Sequence, residues 1–225
     1  MVIKMVKIKQ DLLKSDRYEI KCPNAMFPNF ITVHNTANDA LAANEIAYMK
    51  RNDNQISFHF AVDDKEIIQG IPTNRNAWHC GDGSETNSGN RNSIGIEICY
   101  SKSGGERYKK AEKLAIKLIA QLLKQYGWGV DRVKKHQDWN GKYCPHRILD
   151  ERRWLSFIAE IAKELDVPKI ATVKDDVKSH WAENSINKAK DKGIMNGYAD
   201  GTFGPNDTLT RGQFVSVLDR LGLLE

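Results

Sequence analysis

Apolar residues recur along this chain at two periods, and the switches between them mark out the elements. The run Ser93-Ile94-Gly95-Ile96-Glu97-Ile98-Cys99-Tyr100 alternates strictly. It predicts a central strand with Ile94, Ile96 and Ile98 on one face and Gly95, Glu97 and Cys99 on the other. A β-branched run at 31–33, closed by His34, predicts a second strand, and residues 57–62 and 66–70 predict two more. Helical spacing appears in Ala42, Ile46 and Met49, with Asn38 or Asp39 placed to cap. It recurs over 108–126, where Ala111, Ala115, Leu118 and Leu122 form one stripe and Gly127 supplies the stop. A further helix carries Trp154, Ile158, Ile161 and Leu165. Between these lies a Gly/Asn/Ser-rich loop, 81–92, expected to rim a cleft. The order predicts an α/β fold, a mixed central β-sheet flanked by helices on both faces, with a small helical C-terminal domain.

The helical pattern stops at a proline and a polar stretch, so we divide the chain into residues 1–165, a linker at 166–174 and a segment at 175–225. In that last segment a helix is expected over about 179–192. A second helix opens at Thr210-x-x-Gln213, a capping box, with Phe214, Val217, Leu218 and Leu221 on its apolar side.

Three residues carry the chemistry. His34 in ITVHNT, His136 in KKHQDW and Cys144 in KYCPH are the right types for one tetrahedral Zn²⁺ with a fourth position open to water. Their sparse spacing is unlike a zinc finger, whose ligands come in local pairs. Glu97 is a lone carboxylate in an apolar strand, costly unless a cation or hydrogen-bond network faces it. It reads either as a general base or as a structural partner of an Arg or Lys across the sheet. Lys142, two residues before Cys144, would share its direction if 141–144 is extended, setting an ammonium where an oxyanion forms; the alternative is a solvated loop charge. His59, between Phe58 and Phe60, reads as a satisfied sheet histidine. His146 reads as a reserve ligand or a support for one, and His79, Asn35 and Arg91 as residues that contact substrate.

TVHNT, SFHFAVDD with SIGIEI, the AWHCGDGS loop, and H-x7-C with Lys two before the Cys together resemble the zinc-dependent N-acetylmuramoyl-L-alanine amidases of the type 2 family. The resemblance is to the endolysins of phages and prophages of Gram-positive bacilli and spans about residues 20–160. It implies that His34, His136 and Cys144 ligate zinc, Glu97 is the acid/base residue and Lys142 the oxyanion stabiliser. Some relatives carry Tyr where this chain has Phe58, which shifts acid/base work onto Glu97. Residues 175–225 resemble a single S-layer homology motif, which implies binding of secondary cell-wall polysaccharide. One copy has little core of its own, so docking on the catalytic domain or on copies from other chains is a further expectation. Two other readings are a cysteine peptidase using Cys144 with His136 or His34, and a non-catalytic peptidoglycan-binding module.

The net charge of +5 is dispersed and lacks aromatic-interleaved basic blocks. It suits an anionic cell wall and not a nucleic-acid partner. No stretch is long and apolar enough for a membrane span. The basic start has no apolar h-region, so synthesis in the cytoplasm and release to the wall by lysis or a holin-type route are expected. Four cysteines in 225 residues make no disulfide framework, and Cys22, Cys80 and Cys99 are read as reduced and packed.

Overall fold

The structure, a computed structural model, describes residues 5–165, 176–192, 194–195, 197 and 202–224. The chain divides into two compact units, Met1–Val167 and Pro168–Glu225. The expected linker at 166–174 lies outside the described residues.

The first unit is built on a six-stranded mixed sheet. Its strands are β1 (Ile8–Gln10), β2 (Phe30–Asn35), β3 (Phe60–Val62), β4 (Ile67–Gln69), β5 (Ser93–Ile98) and β6 (Val133–Lys135), in the order β1-β4-β3-β5-β2-β6. Only the β3–β4 pair is antiparallel. The expected central strand is β5, between β3 and β2. Its Ile94 and Ile96 meet Ile31 and Val33 of β2 in register, Ile98 meets Asn35, and the four isoleucines and Val33 are fully buried. On the opposite face the same register sets His34 beside Glu97 and Thr32 beside Gly95. Two ligand-type side chains thus share a face because alternation forces it.

The helices of this unit are α1 (Tyr18–Lys21), α2 (Ala42–Arg51), α3 (Gly89–Asn92), α4 (Gly105–Tyr126), α5 (Gln137–Asn140), α6 (His146–Asp150) and α7 (Trp154–Leu165). They cover both faces of the sheet, α4 packing against β3, β4 and β5 with α7 behind it, and α2 packing against β3 and β4. The expected stripe Ala111, Ala115, Leu118 and Leu122 is buried, and Gly127 closes α4 in the left-handed region at φ 68°. Ala42, Ile46 and Met49 are the buried face of α2. Its cap departs from expectation. Neither Asn38 nor Asp39 caps the helix; Asp63, from the β3–β4 turn, accepts the Ala42 N–H at 3.0 Å. Residues 81–92 are not all loop either, since Asp82 accepts the Gly89 and Asn90 N–H groups and opens the single turn α3. β1 and β6, both at sheet edges, are strands that the hydrophobic pattern does not reveal.

The second unit contains α8 (Glu183–Asp191) and α9 (Arg211–Arg220). α9 opens on the expected box, with the Thr210 hydroxyl accepting from Gln213 N and the Gln213 side chain accepting from Thr210 N. Among its described residues only Val177 and Ile186 are buried, whereas Trp181, Phe214, Val215, Leu221 and Leu223 are exposed.

Candidate metal centre and active-site cavity

Three remote segments meet at the carboxyl ends of β2 and β5. His34 comes from β2, His136 directly follows β6, and Cys144 lies between α5 and α6. His34 Nδ1 is 3.0 Å from His136 Nδ1 and 3.9 Å from Cys144 Sγ. All three side chains are buried, and their donor atoms lie within 4.8 Å of one another. Two imidazole nitrogens and a sulfur converging in a dry site are a poor arrangement for neutral groups alone and a natural one around a soft cation. Burial first, then neighbouring His79, His136 and Lys142, holds His34 well below the usual imidazole pKa. Burial and Lys142 lower His136, against the Cys80 backbone and Asp82. Both are therefore neutral, the form that ligates metal. The Cys144 thiol is pushed up to about 12 by burial and then Glu97, while the Asn35 N–H, at 3.5 Å from Sγ, pulls the other way. A cation is what would turn that thiol into thiolate.

Beside this cluster opens a cavity of about 470 Å³ whose lining includes Asn35, Glu97, Lys142 and Cys144, with Glu45 and Phe58 on its walls. Glu97 Oε2 is buried there without a hydrogen-bond partner. Burial, and after it the charge of Glu45, raises the Glu97 carboxyl to about 8, with Lys142 opposing. Glu97 forms none of the ion pairs among the described residues, so nothing in the sheet fills the structural role of partner to a cross-strand base. Lys142 shares the cavity although 141–144 is not uniformly extended: Gly141 sits at φ 81°, and the Asn140 side chain accepts the Lys142 N–H at 2.9 Å. Phe58 is buried and offers the cavity an apolar wall.

Asn35 lines the cavity as expected and also accepts the Arg147 N–H at 3.0 Å. Two residues expected to contact substrate are elsewhere. Arg91 donates to the Ser84 carbonyl at 3.1 Å and is absent from the cavity wall. His79 is buried behind His34, its Nδ1 2.9 Å from His34 Nε2, so it faces a candidate ligand and not the cleft. His146 lines the cavity but its Nε2 pairs with the Ser101 carbonyl at 3.4 Å, outside the cluster. His59 is the satisfied sheet histidine expected, donating from Nε2 to the Arg75 carbonyl and accepting the Gly95 N–H at Nδ1, each at 2.9 Å. All four cysteines are free and buried. Sequence reading missed the buried Lys21, which donates to Asn52 Oδ1, the Asn54 carbonyl and the Ile56 carbonyl; Asn52 and Ile56 belong to the cavity wall.

The N-acetylmuramoyl-L-alanine amidase family matches over residues 24–147, and the S-layer homology domain over 175–215. The N-acetylmuramoyl-L-alanine amidase CwlA of Bacillus subtilis is 54% identical over 215 residues, covering 96% of this chain and 78% of that protein. The amidase XlyB of the same organism is 58% identical over 183 residues, 81% of this chain and 57% of its own length. Among solved structures, PlyL is 54% identical with a TM-score of 0.67, over 69% of this chain and 97% of that one. The PlyG catalytic domain is 52% identical with a TM-score of 0.68, over 75% of this chain and 99% of that one.

Proposed function

The chain belongs to the N-acetylmuramoyl-L-alanine amidase family, and from that premise we propose that it is a zinc-dependent peptidoglycan hydrolase of the endolysin or autolysin kind. The bond cut is the amide between the lactyl group of N-acetylmuramic acid and the L-alanine of the stem peptide. The observation that carries this reading is the convergence of His34 Nδ1, His136 Nδ1 and Cys144 Sγ at a cavity holding an unpartnered carboxylate.

His34, His136 and Cys144 would hold Zn²⁺, which when bound polarises an amide carbonyl and lowers the pKa of water to about 7. Glu97, whose ionised form Lys142 and a bound cation would favour against burial, would take the proton of the attacking water at Oε2 and return it to the alanine nitrogen as the C–N bond breaks; the carboxylic acid formed on the lactyl group then passes its proton to the freed amine, giving a carboxylate and an ammonium group on alanine. Lys142 offsets the negative charge that builds on the carbonyl oxygen. Asn35 steadies the Cys144 sulfur through its backbone N–H. Phe58 has no proton to exchange, so the acid/base work falls more heavily on Glu97. A cysteine peptidase is disfavoured because the Cys144 thiol is buried and held up near 12 rather than activated.

Residues 175–225 attach the enzyme to secondary cell-wall polysaccharide, and their exposed Phe214, Val215, Leu221 and Leu223 associate copies of the chain. No helix among the described residues is long and apolar enough to cross a membrane. The place of action is the bacterial wall, reached by lysis or a holin-type route.

Mass analysis of fragments from defined peptidoglycan tests the whole reading. Chelated enzyme should release nothing, and added Zn²⁺ should restore stem peptides with a free alanine amine. Cleavage at a sugar or peptide bond, or full lysis by verified metal-free enzyme, would overturn it.

A further inference from the structure

Behind the proposed ligand His34 stands a second imidazole, His79, outside the cavity lining, which with Cys80 and His34 forms a second close group of donor atoms. Gly95 makes this possible. A Cβ there would stand 2.8 Å from His79 Cγ and Nδ1, so the His79 ring lies flat against a strand position that only glycine leaves open. The backbone of His79 is fixed as well, since the buried Asn90 side chain accepts both the His79 and the Cys80 N–H groups, at 2.8 and 2.7 Å.

The hydrogen bonds of this ring leave one consistent proton assignment. His79 Nε2 is 3.3 Å from the Ser93 carbonyl, which can only accept, so the proton of His79 sits on Nε2. Its Nδ1 is then a bare lone pair. Two groups face it, the Cys80 thiol at 3.2 Å and His34 Nε2 at 2.9 Å; a second lone pair on His34 Nε2 would repel it at that distance, so the His34 nitrogen carries the proton and donates. A neutral His34 protonated at Nε2 has a free lone pair at Nδ1, and Nδ1 is the atom that faces His136 and Cys144. The ring centroids are 5.0 Å apart and the planes stand at 81°, an arrangement such a bond accommodates.

We propose that His79 is a positioning residue that fixes the tautomer and ring orientation of His34, so that Nδ1 is presented to the metal. The relay Ser93 carbonyl, His79, His34 sets the proton before any metal arrives, and the protonated Nε2 makes His34 a better donor once the metal is bound. This rests on the reading of His34 as a metal ligand.

The test uses the full chain with His79→Leu, which keeps bulk and removes the acceptor, and His79→Asn, whose Oδ1 can accept near the Nδ1 position. Zinc affinity is read by competition with a chromophoric chelator, and the histidine tautomers by ¹⁵N NMR of the metal-free wild type. His79→Leu should lose about 10–100-fold in zinc affinity, the scale of lost outer-sphere support, and His79→Asn should recover most of it. The His34 Nδ1 resonance should be that of an unprotonated nitrogen. Wild-type zinc affinity in His79→Leu, no recovery in His79→Asn, or a proton on His34 Nδ1 would each overturn the proposal. A wild-type chain that takes up no zinc sinks the metal reading instead, and the ¹⁵N spectrum still decides the tautomer. The same spectrum decides it if His79→Leu does not fold.

Discussion

Lowering the pH should weaken this fold through His59 by an amount the structure fixes. His59 is fully buried between β3 and β5, and both ring nitrogens are committed: Nε2–H to the Arg75 carbonyl and the Nδ1 lone pair to the Gly95 N–H. Protonating Nδ1 would turn an accepted bond into two opposed N–H groups in a dry site. Burial accordingly takes its pKa from the usual 6.5 to about 4. The folded value is depressed, so the unfolded chain binds the proton first. The neutral form's stabilisation is present in full above pH 6.5 and lost as pH falls to about 4. At about 1.4 kcal/mol per unit, the full loss is about 3 kcal/mol, of which about 2 is gone by pH 5. His34, His79 and His136 titrate too, so the measurement is a difference between wild type and His59→Gln, in which the His34 and His136 contributions cancel and what remains is that of His59 with its charge coupling to His79. Urea unfolding of both proteins at pH 7.5 and pH 5 gives four free energies. The substitution costs stability at pH 7.5, and that gap should shrink by about 2 kcal/mol at pH 5. A gap unchanged to within about 0.5 kcal/mol, larger than the scatter of independent sites, would refute the claim that His59 is held neutral.

Glu97→Gln should fold and bind zinc as the wild type does while kcat falls by about 10² or more; near-normal turnover would assign the proton transfer to another group. Lys142→Met should lower kcat and move the acid limb of the kcat/KM profile to higher pH, because the lysine's charge opposes the rise of the Glu97 pKa; a fall in rate without that shift would remove Lys142 from Glu97's field. Lys21→Met should cost about 3 kcal/mol in urea unfolding, since it orphans the Asn52, Asn54 and Ile56 acceptors, and should raise KM because Asn52 and Ile56 line the cavity. A chain ending at residue 165 should cleave soluble muropeptides near the full-length rate and sediment poorly with whole walls; loss of soluble activity would put the second unit inside the catalytic core.

The parts of this site that are legible in the sequence are those set by local period. Alternation in 93–98 puts Glu97 on the face opposite three isoleucines, and β2 then needs only its register to bring His34 beside it. Residues whose role depends on distant partners were not legible in the same way. β1 and β6 are three residues each, and their half-exposed edge sequences IKQ and VKK carry the charge and polarity that protect edges and disguise them as loops. Asp63 caps α2 from 21 residues away, beyond any local capping pattern. His79 looks like a cleft residue in its AWHCG loop, and the one signal that could have corrected this is Gly95. A glycine inside a buried strand marks a close approach, and the approaching group is that ring.

The dispersal of the three proposed ligands also sets the order in which the enzyme can come into being. His34 enters the chain early, but its fellow ligands lie beyond the last strand, and β6 must dock on β2 before His136 can meet it. During synthesis at about 5–20 residues per second, at least several seconds separate the appearance of residue 34 from that of residue 144. Until residue 136 is made the chain holds one of the three proposed donors, and until residue 144 only two, so the proposed metal centre is incomplete throughout. On the proposed ligand set, wall-cutting activity is withheld from every nascent or truncated product that stops short of Cys144, a safeguard that comes from chain connectivity alone and needs no inhibitor.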